Sequence, residues 1–150
     1  MNYTFEDLKN KTIIITGGSG FLGSQFIESF LNIGSNVVNL DKKINKKMFS
    51  HKKNFLNIRC NITKEEDVKK SLKKILRYFK KIDVLVNCAF SDYVPKNSKY
   101  KKFTFDNFNL EQWYSDLDVG LTGAFICSKI FGTEMNKNKK GNIINISSDL

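Results

Sequence analysis

The sequence lacks the features that mark secreted, membrane-spanning and disulfide-stabilised proteins. Its three cysteines are far apart and form no CxxC pair, so neither a disulfide framework nor a metal site such as zinc is expected, and a reducing, cytoplasmic location is favoured. No stretch approaches the roughly 18 consecutive apolar residues of a membrane-spanning helix. The N-terminus, MNYTFEDLKNK, carries acidic residues and has no apolar core, which is not typical of a signal peptide.

Arginine is scarce, although the formal net charge is +10. Only Arg59 and Arg77 are arginine among 25 basic residues, and arginine is preferred for bidentate phosphate and base contacts. Abundant lysine, asparagine, isoleucine and phenylalanine, with one proline, are typical of an AT-rich genome. We therefore interpret the charge as a solvated lysine surface and not as a nucleic-acid interface. The best candidate anion patch consists of Lys42, Lys43, Lys46, Lys47, Lys52 and Lys53.

The hydrophobic period alternates between short β-branched runs and amphipathic helical stretches. Strands alternating with helices predict one α/β domain over residues 1–150, with parallel pairing, right-handed crossovers and a Rossmann-type doubly wound sheet. Ligands of such sheets bind beyond the carboxyl ends of the strands, near the point where the strand order reverses. The predicted strands are 12–16, 36–41, 54–60, 82–89 and 142–147, and the predicted helices are 22–33, one from Thr63, and one from Asn109 to about Met135.

Two helix starts and one long loop follow from local patterns. Thr63 with Glu66, and Asn109 with Gln112, have the spacing of a capping box. Residues 90–108 are polar and aromatic and contain the one proline. A loop of that length in a compact domain is usually functional or disordered, and we expect it to face the substrate.

The glycine-rich stretch TGGSGFLG, residues 16–23, lies between the first predicted strand and the first predicted helix. Glycines permit a tight turn and the close approach of a pyrophosphate, and a helix N-terminus offers unpaired N–H groups. Asp41 ends the second strand, where a dinucleotide fold places the carboxylate that accepts from the ribose hydroxyls. A flexible turn and a solvated acid are the alternative interpretations. The candidate cofactor-binding residues here are Gly17, Ser19, Gly20, Phe21, Leu22, Gly23 and Asp41.

The same carboxylate indicates which dinucleotide is preferred. A negative charge at Asp41 repels the 2′-phosphate of NADP, so NAD is favoured. Lys42 and Lys43 lie beside it and argue in the other direction.

Four ordered motifs, spread over essentially the whole chain, resemble the short-chain dehydrogenase/reductase family. TGGSGFLG is similar to the family's nucleotide loop, RCNITKEEDV to the segment after its third strand, VNCA to its NxAG motif and WYSDLDVGLTGAF to its long interface helix. The resemblance implies that the Asn61 amide oxygen and the backbone of Ile62 contact adenine, and that Asn87, Cys88 and Ala89 line the cofactor cleft. A narrower resemblance is to a bacterial subgroup that accompanies genes for surface-polysaccharide and flagellin-modification sugars, which suggests a sugar as the small-molecule substrate.

The family resemblance implies hydride transfer between a nicotinamide and a carbonyl or alcohol carbon. In the family a tyrosine is the acid and base, a lysine lowers its pKa, a serine holds the substrate oxygen and an asparagine anchors a water relay. Ser148 occupies the place of the serine, with Ser147 as the alternative. Gly120 stands where the asparagine is expected, so a bulge or kink with a bound water would have to replace it, or the relay is missing.

The family's YxxxK motif follows the serine by a dozen or more residues, and this chain has no tyrosine after Ser148. We therefore expect the N-terminal part of an NAD-dependent oxidoreductase, truncated after about the fifth strand and without turnover on its own. Its fifth strand would be an exposed edge. The alternatives are a non-catalytic dinucleotide-binding module or subunit and a basic nucleic-acid-binding protein. The resemblance also implies a full-length homo-oligomer that associates through the helices of residues 110–135.

Overall fold

A computed structural model of the chain describes residues 5–45, 47–91 and 110–147. Strands and helices alternate in these ranges, as the hydrophobic pattern predicts. The strands are β1 (Thr12–Thr16), β2 (Asn36–Asp41), β3 (Phe55–Arg59), β4 (Val84–Asn87) and β5 (Asn142–Asn145). The helices are α1 (Phe21–Ile33), α2 (Glu65–Phe79), α3 (Leu110–Leu117) and α4 (Ala124–Lys137), with a 3₁₀ turn at Glu6–Leu8 and a π-helical segment at Asp118–Gly123.

The five strands form one parallel sheet in the order β3-β2-β1-β4-β5. The chain moves outward from β1 to β3 and then returns to the other side of β1, so the strand order reverses between β1 and β4. Helix α1 covers one face, where Ile27 packs with Ile13 of β1. Helices α2 and α4 cover the other face, where Val68 and Phe131 pack with Ile14. The predicted doubly wound Rossmann-type sheet is confirmed.

The predicted bounds agree for β1 and β2, and β3, β4 and β5 are shorter than predicted. The predicted capping box at Thr63 is wrong, because α2 begins at Glu65 and its N-cap residue, Lys64, makes no side-chain capping bond. The Thr63 hydroxyl donates to Asn61 Oδ1 at 2.9 Å instead, so a local side-chain turn takes the place of the cap. Asn109, from the second predicted box, lies outside the described residues.

The long helix predicted to run to about Met135 is interrupted by the π-helical segment Asp118–Gly123. Two glycines, Gly120 and Gly123, lie in this segment, and glycine weakens an α-helix by about 1 kcal/mol relative to alanine. Gly123 also packs closely on the turn after β3, since a Cβ there would lie 2.7 Å from Ile62 Cδ1. Of the two expectations for Gly120, a bulge or kink with a bound water and a missing relay, the helix shows a bulge, and the water stays a prediction. π-Bulges of this kind are frequent at functional sites.

Strand β5 forms one edge of the sheet and is exposed along its whole length. Ile143, Ile144 and Ile146 are 41%, 46% and 42% exposed. Ile143 and Ile144 face opposite sides of the sheet because side chains alternate along a strand. The exposed apolar edge that the sequence predicts is thus found in the described part of the chain.

Two buried threonines of β1 are expected to affect stability in opposite ways when each is replaced by valine. Thr16 Oγ1 accepts the N–H groups of Cys88 and Ala89 at 3.0 and 3.1 Å, whereas Thr12 Oγ1 is buried without a partner among the described residues. Thr16→Val should lower the free energy of unfolding by about 1–3 kcal/mol, because two N–H groups lose their acceptor. Thr12→Val should be neutral or stabilising, because it removes an unpaired hydroxyl.

Urea unfolding of the wild type and both variants, followed by circular dichroism, measures this difference. Thr16→Ser is the matched control, because it keeps the accepting oxygen and loses only a methyl group. Equal losses for Thr12→Val and Thr16→Val would contradict the assignment of the two hydroxyls.

Candidate dinucleotide site at the switch point

The candidate site lies at the carboxyl ends of the strands, where the order reverses between β1 and β4. Four segments meet there: the glycine loop after β1, the end of β2, the turn after β3 and the end of β4. Each of these segments carries residues that the sequence predicts for the site. The outcome for each is described below from its contacts.

The backbone geometry of the glycine loop excludes side chains at two positions. Gly17 has a φ of +69°, and a Cβ there would lie 2.7 Å from Ala89 Cα. A Cβ on Gly23 would lie 2.4 Å from the Gly17 carbonyl oxygen. The loop therefore packs backbone against backbone, on β4 on one side and on the first turn of α1 on the other. Glycine at these two positions therefore allows the tight turn that places the loop against its neighbours.

The N-terminus of α1 is open to a ligand. Its N-cap residue is Gly20, which supplies no side-chain acceptor for the first N–H groups of the helix. These groups and the helix dipole together favour an anion at this position. Phe21 and Leu22, the first two residues of α1, are 90% and 42% exposed.

Asp41 is tied directly to the glycine loop. Its Oδ2 accepts the Ser19 N–H at 2.9 Å, and its Oδ1 accepts the Lys43 N–H at 2.9 Å. The structure thus brings together two residues, Ser19 and Asp41, that the sequence predicts for one site. Each carboxylate oxygen has a second lone pair, so both remain able to accept from a ribose hydroxyl.

Beneath the loop lies a chain of asparagine side chains that sequence reasoning missed. Asn39 is fully buried, and its Nδ2 donates to Ser19 Oγ at 3.1 Å and to Asn57 Oδ1 at 3.0 Å. Asn57 Nδ2 in turn donates to the carbonyl oxygen of Asn45 at 2.9 Å. Gly18 lies directly on this chain, because a Cβ there would be 2.4 Å from Asn39 Oδ1. The available signal was a polar residue in the middle of the apolar strand NVVNLD.

Asn61 and Ile62 follow β3. The Asn61 Oδ1 accepts both the N–H and the hydroxyl of Thr63, at 3.2 and 2.9 Å. Its oxygen is therefore engaged in a local turn, and adenine contact by Asn61 stays a prediction. Ile62 is buried in the core beneath α4, where its side chain meets Gly123.

Asn87 joins three elements at the end of β4. Its Nδ2 donates to Asn145 Oδ1 of β5 at 2.8 Å and to Ser128 Oγ of α4 at 3.1 Å. The pairing of β4 with β5 extends one residue past the end of β5, since the Ile146 N–H donates to the Asn87 carbonyl oxygen at 2.9 Å. These bonds fix β5 beside β4 and against α4.

Cys88 and Ala89 pack beside the glycine loop through their backbone. Both N–H groups donate to Thr16 Oγ1, which holds the end of β4 against the end of β1. Burial raises the pKa of the half-buried Cys88 thiol, which disfavours the thiolate. The next residue, Phe90, is exposed where the family motif has glycine.

The structure describes only some of the residues that the sequence predicts for the catalytic side of the site. Ser148 lies outside the described residues, and Ser147, the last one described, is exposed. Gly120 is exposed in the π-helical segment, and a Cβ there would meet nothing within 4 Å. An asparagine side chain would therefore fit at this position, and its absence is not a steric requirement of the fold.

The described ranges 5–45, 47–91 and 110–147 contain no cluster of three or more acidic, cysteine or histidine residues arranged to bind a metal. In these same ranges, no helix combines the length and the apolarity that crossing a lipid bilayer requires.

Known proteins resemble this chain in sequence and in fold. A family model for short chain dehydrogenase matches residues 11–150. The NAD-dependent glycerol dehydrogenase of Listeria innocua is 28% identical, over 95% of this chain and 54% of its own length. The glucose 1-dehydrogenase 2 of Bacillus subtilis is 30% identical, over 96% of this chain and 56% of its own length. A short chain dehydrogenase of Leptospira borgpetersenii, solved with bound NAD+, is 29% identical with a TM-score of 0.77, over 95% of this chain and 54% of that chain.

The chain spans about half the length of the curated relatives it matches. The match nevertheless includes the glycine loop, the carboxyl ends of all five strands and the interrupted long helix. The backbone-lined loop, the open helix N-terminus and the carboxylate of Asp41 also fit a dinucleotide. The chain belongs to the short chain dehydrogenase family.

Proposed function

We propose that the protein is an NAD-dependent oxidoreductase that transfers hydride between the nicotinamide and a carbonyl or alcohol carbon of a small molecule. The observation that carries the proposal is the bond between Asp41 and Ser19, which joins the ribose-binding carboxylate to the pyrophosphate-binding loop. Family membership and the NAD+ bound to the Leptospira dehydrogenase support it. Bound NAD would supply the hydride acceptor or donor.

The residues that would hold the cofactor follow from the contacts of the site. The N–H groups of the first turn of α1, from Phe21 to Gly23, would bind the pyrophosphate, because the N–H groups of Gly17, Ser19 and Gly20 donate within the protein. Asp41 would accept from the adenosine ribose and would repel a 2′-phosphate, which favours NAD over NADP. Asn61 and Ile62 would lie on the adenine side, and the end of β4, Asn87 to Ala89, would line the nicotinamide side.

The catalytic chemistry assigned to this chain is limited to one group. The Ser148 hydroxyl would donate a hydrogen bond to the substrate oxygen, where negative charge develops as the carbonyl is reduced. Proton transfer requires a further acid and base, and no tyrosine of the sequence is followed by lysine at the YxxxK spacing. We therefore propose that the 150 residues alone bind the cofactor without turnover.

The proposed substrate is a sugar or another polyol. The Listeria and Bacillus relatives are named for glycerol and glucose, and both of these substrates are small polyhydroxylated molecules. Most of the predicted loop 90–108 lies outside the described residues, and we propose that it contributes to specificity. We propose a cytoplasmic location and, for the longer protein, a homo-oligomer through α3, the π-helical segment and α4, whose exposed apolar residues include Trp113, Leu121 and Phe125.

A second candidate function is a dinucleotide-binding module or subunit that does not catalyse hydride transfer. One sequence feature favours it: Gly120 replaces the relay asparagine. The gene sequence beyond codon 150 separates the two functions. An in-frame YxxxK supports the enzyme, and a stop codon supports the module.

The protein should bind NAD+ at least about tenfold more tightly than NADP+, because the carboxylate of Asp41 faces the ribose. Asp41→Asn should reduce this ratio to about threefold or less, since it removes the repelling charge and keeps one accepting oxygen. Isothermal titration with both dinucleotides measures the ratio. Glu28→Gln on α1 is the matched control, because it removes the same charge from an exposed site outside the loop. A preference for NADP+ in the wild type would contradict the role of Asp41.

The 150-residue chain should not reduce NAD+ in the presence of glycerol or glucose, although NAD+ should raise its melting temperature. The reason is the missing proton-transfer group. Absorbance at the NADH band measures turnover, and thermal unfolding with and without NAD+ measures binding. Turnover by this chain that is lost on Ser148→Ala would show that an acid and base are present after all.

A further inference from the structure

A cationic cavity lies on the α2 side of the sheet, apart from the glycine loop. It has a volume of about 340 Å³ and lies between the ends of β2 and β3 and helix α2. Its charged lining consists of Lys42, Arg59, Lys70, Lys74 and one carboxylate, Asp67. Four cations and one anion give it a net charge of +3. We name it the α2 cavity.

The cations of the α2 cavity are not neutralised by the protein. Among the described residues, the ion pairs use other lysines, and none includes a cation of this cavity. On α2 itself, the acids Glu65 and Glu66 both pair with Lys69. Lys70 and Lys74, one turn apart, repel each other on the helix surface. A bound anion would remove this repulsion.

The neutral lining of the cavity is already hydrogen-bonded within the protein. The Ser71 hydroxyl donates to the Asp67 carbonyl oxygen at 2.8 Å. The Asp67 carboxylate accepts the Asn61 N–H at 3.4 Å, which turns its charge toward the turn after β3. The donors left for a ligand are therefore the four cationic side chains and the Asn61 Nδ2 amide, since only the oxygen of that amide is engaged.

Regular elements hold the backbone of these cations. Arg59 ends β3 and lies opposite Asp41 in the parallel register. Lys42 lies in the turn that the Asp41 carboxylate closes by accepting the Lys43 N–H. Lys70 and Lys74 lie within the 15-residue helix α2. Convergence of the four side chains therefore does not depend on a long loop.

We propose that the α2 cavity binds a phosphate group. A phosphate dianion matches the excess of positive charge, and Arg59 offers the planar donor fork that suits phosphate oxygens. The Asp41 carboxylate is turned away toward the glycine loop, so it does not oppose an anion in the cavity. Its repulsion of a 2′-phosphate on the cofactor favours a phosphate carried by a second molecule.

Inorganic pyrophosphate is the probe, and isothermal titration into the wild type and three variants of the protein, each saturated with NAD+ so that the glycine loop is already occupied, is the measurement. Lys74→Gln should weaken pyrophosphate binding about tenfold, and Arg59→Gln with Lys74→Gln should weaken it further. Lys73→Gln is the matched control, because it removes the same charge from α2 at an exposed residue that does not line the cavity. Affinities for NAD+ and NADP+ are measured on the same four proteins.

The measured affinities distinguish between the possible sources of the phosphate and test whether the cavity binds it. Weaker pyrophosphate binding with unchanged affinities for both dinucleotides supports a phosphate on a second molecule. A selective loss of NADP+ affinity supports the cavity and identifies the 2′-phosphate of the cofactor as its source. The proposal is overturned if pyrophosphate does not bind, or if Lys73→Gln weakens it as much as Lys74→Gln. NAD+ binding is read separately, so failure here leaves the dinucleotide site untouched.

Discussion

The hydrogen bond from the Ser19 N–H to the Asp41 carboxylate joins the glycine loop to the end of β2, and the candidate site depends on it. A second bond, from the Gly17 N–H to the Leu40 carbonyl oxygen at 2.8 Å, continues the β1–β2 ladder into the loop. The loop is therefore an extension of the sheet and not a free turn. One carboxylate both orders the loop and offers acceptors to a ribose, so binding geometry and loop geometry are set together.

This arrangement requires residues without side chains where the loop meets its neighbours. Gly17 approaches β4, Gly23 approaches Gly17, and Gly18 lies on the Asn39 amide. The amide is fully buried and bonds both Ser19 and the neighbouring strand, so it supports the loop from below. Burying such a group is costly unless it is hydrogen-bonded, and its donors are satisfied here. The glycine loop therefore lies directly above a buried polar support, the Asn39 amide.

The parts predicted from sequence are those with local or regularly spaced signals. The period of the apolar residues predicted β1 and β2 with their correct bounds, and the glycine loop and Asp41 were recognisable from their spacing. The missed parts depend on which strands become neighbours. Asn39 meets Asn57 because they are register partners, and Thr16 meets the backbone of β4 because β4 returns beside β1. The residue pattern within one strand does not indicate which strand will lie beside it.

The central claim is that a dinucleotide binds across the glycine loop and Asp41, and NAD+ titration followed by backbone amide NMR tests it most directly. The account predicts saturable shifts at Ser19, Gly20 and Lys43, because the ribose shares the carboxylate that now accepts two of these N–H groups. Asp41→Asn should reduce the shift at Ser19 more than the shift at Gly20. Saturable NAD+ binding that leaves these three amides unshifted would contradict the account.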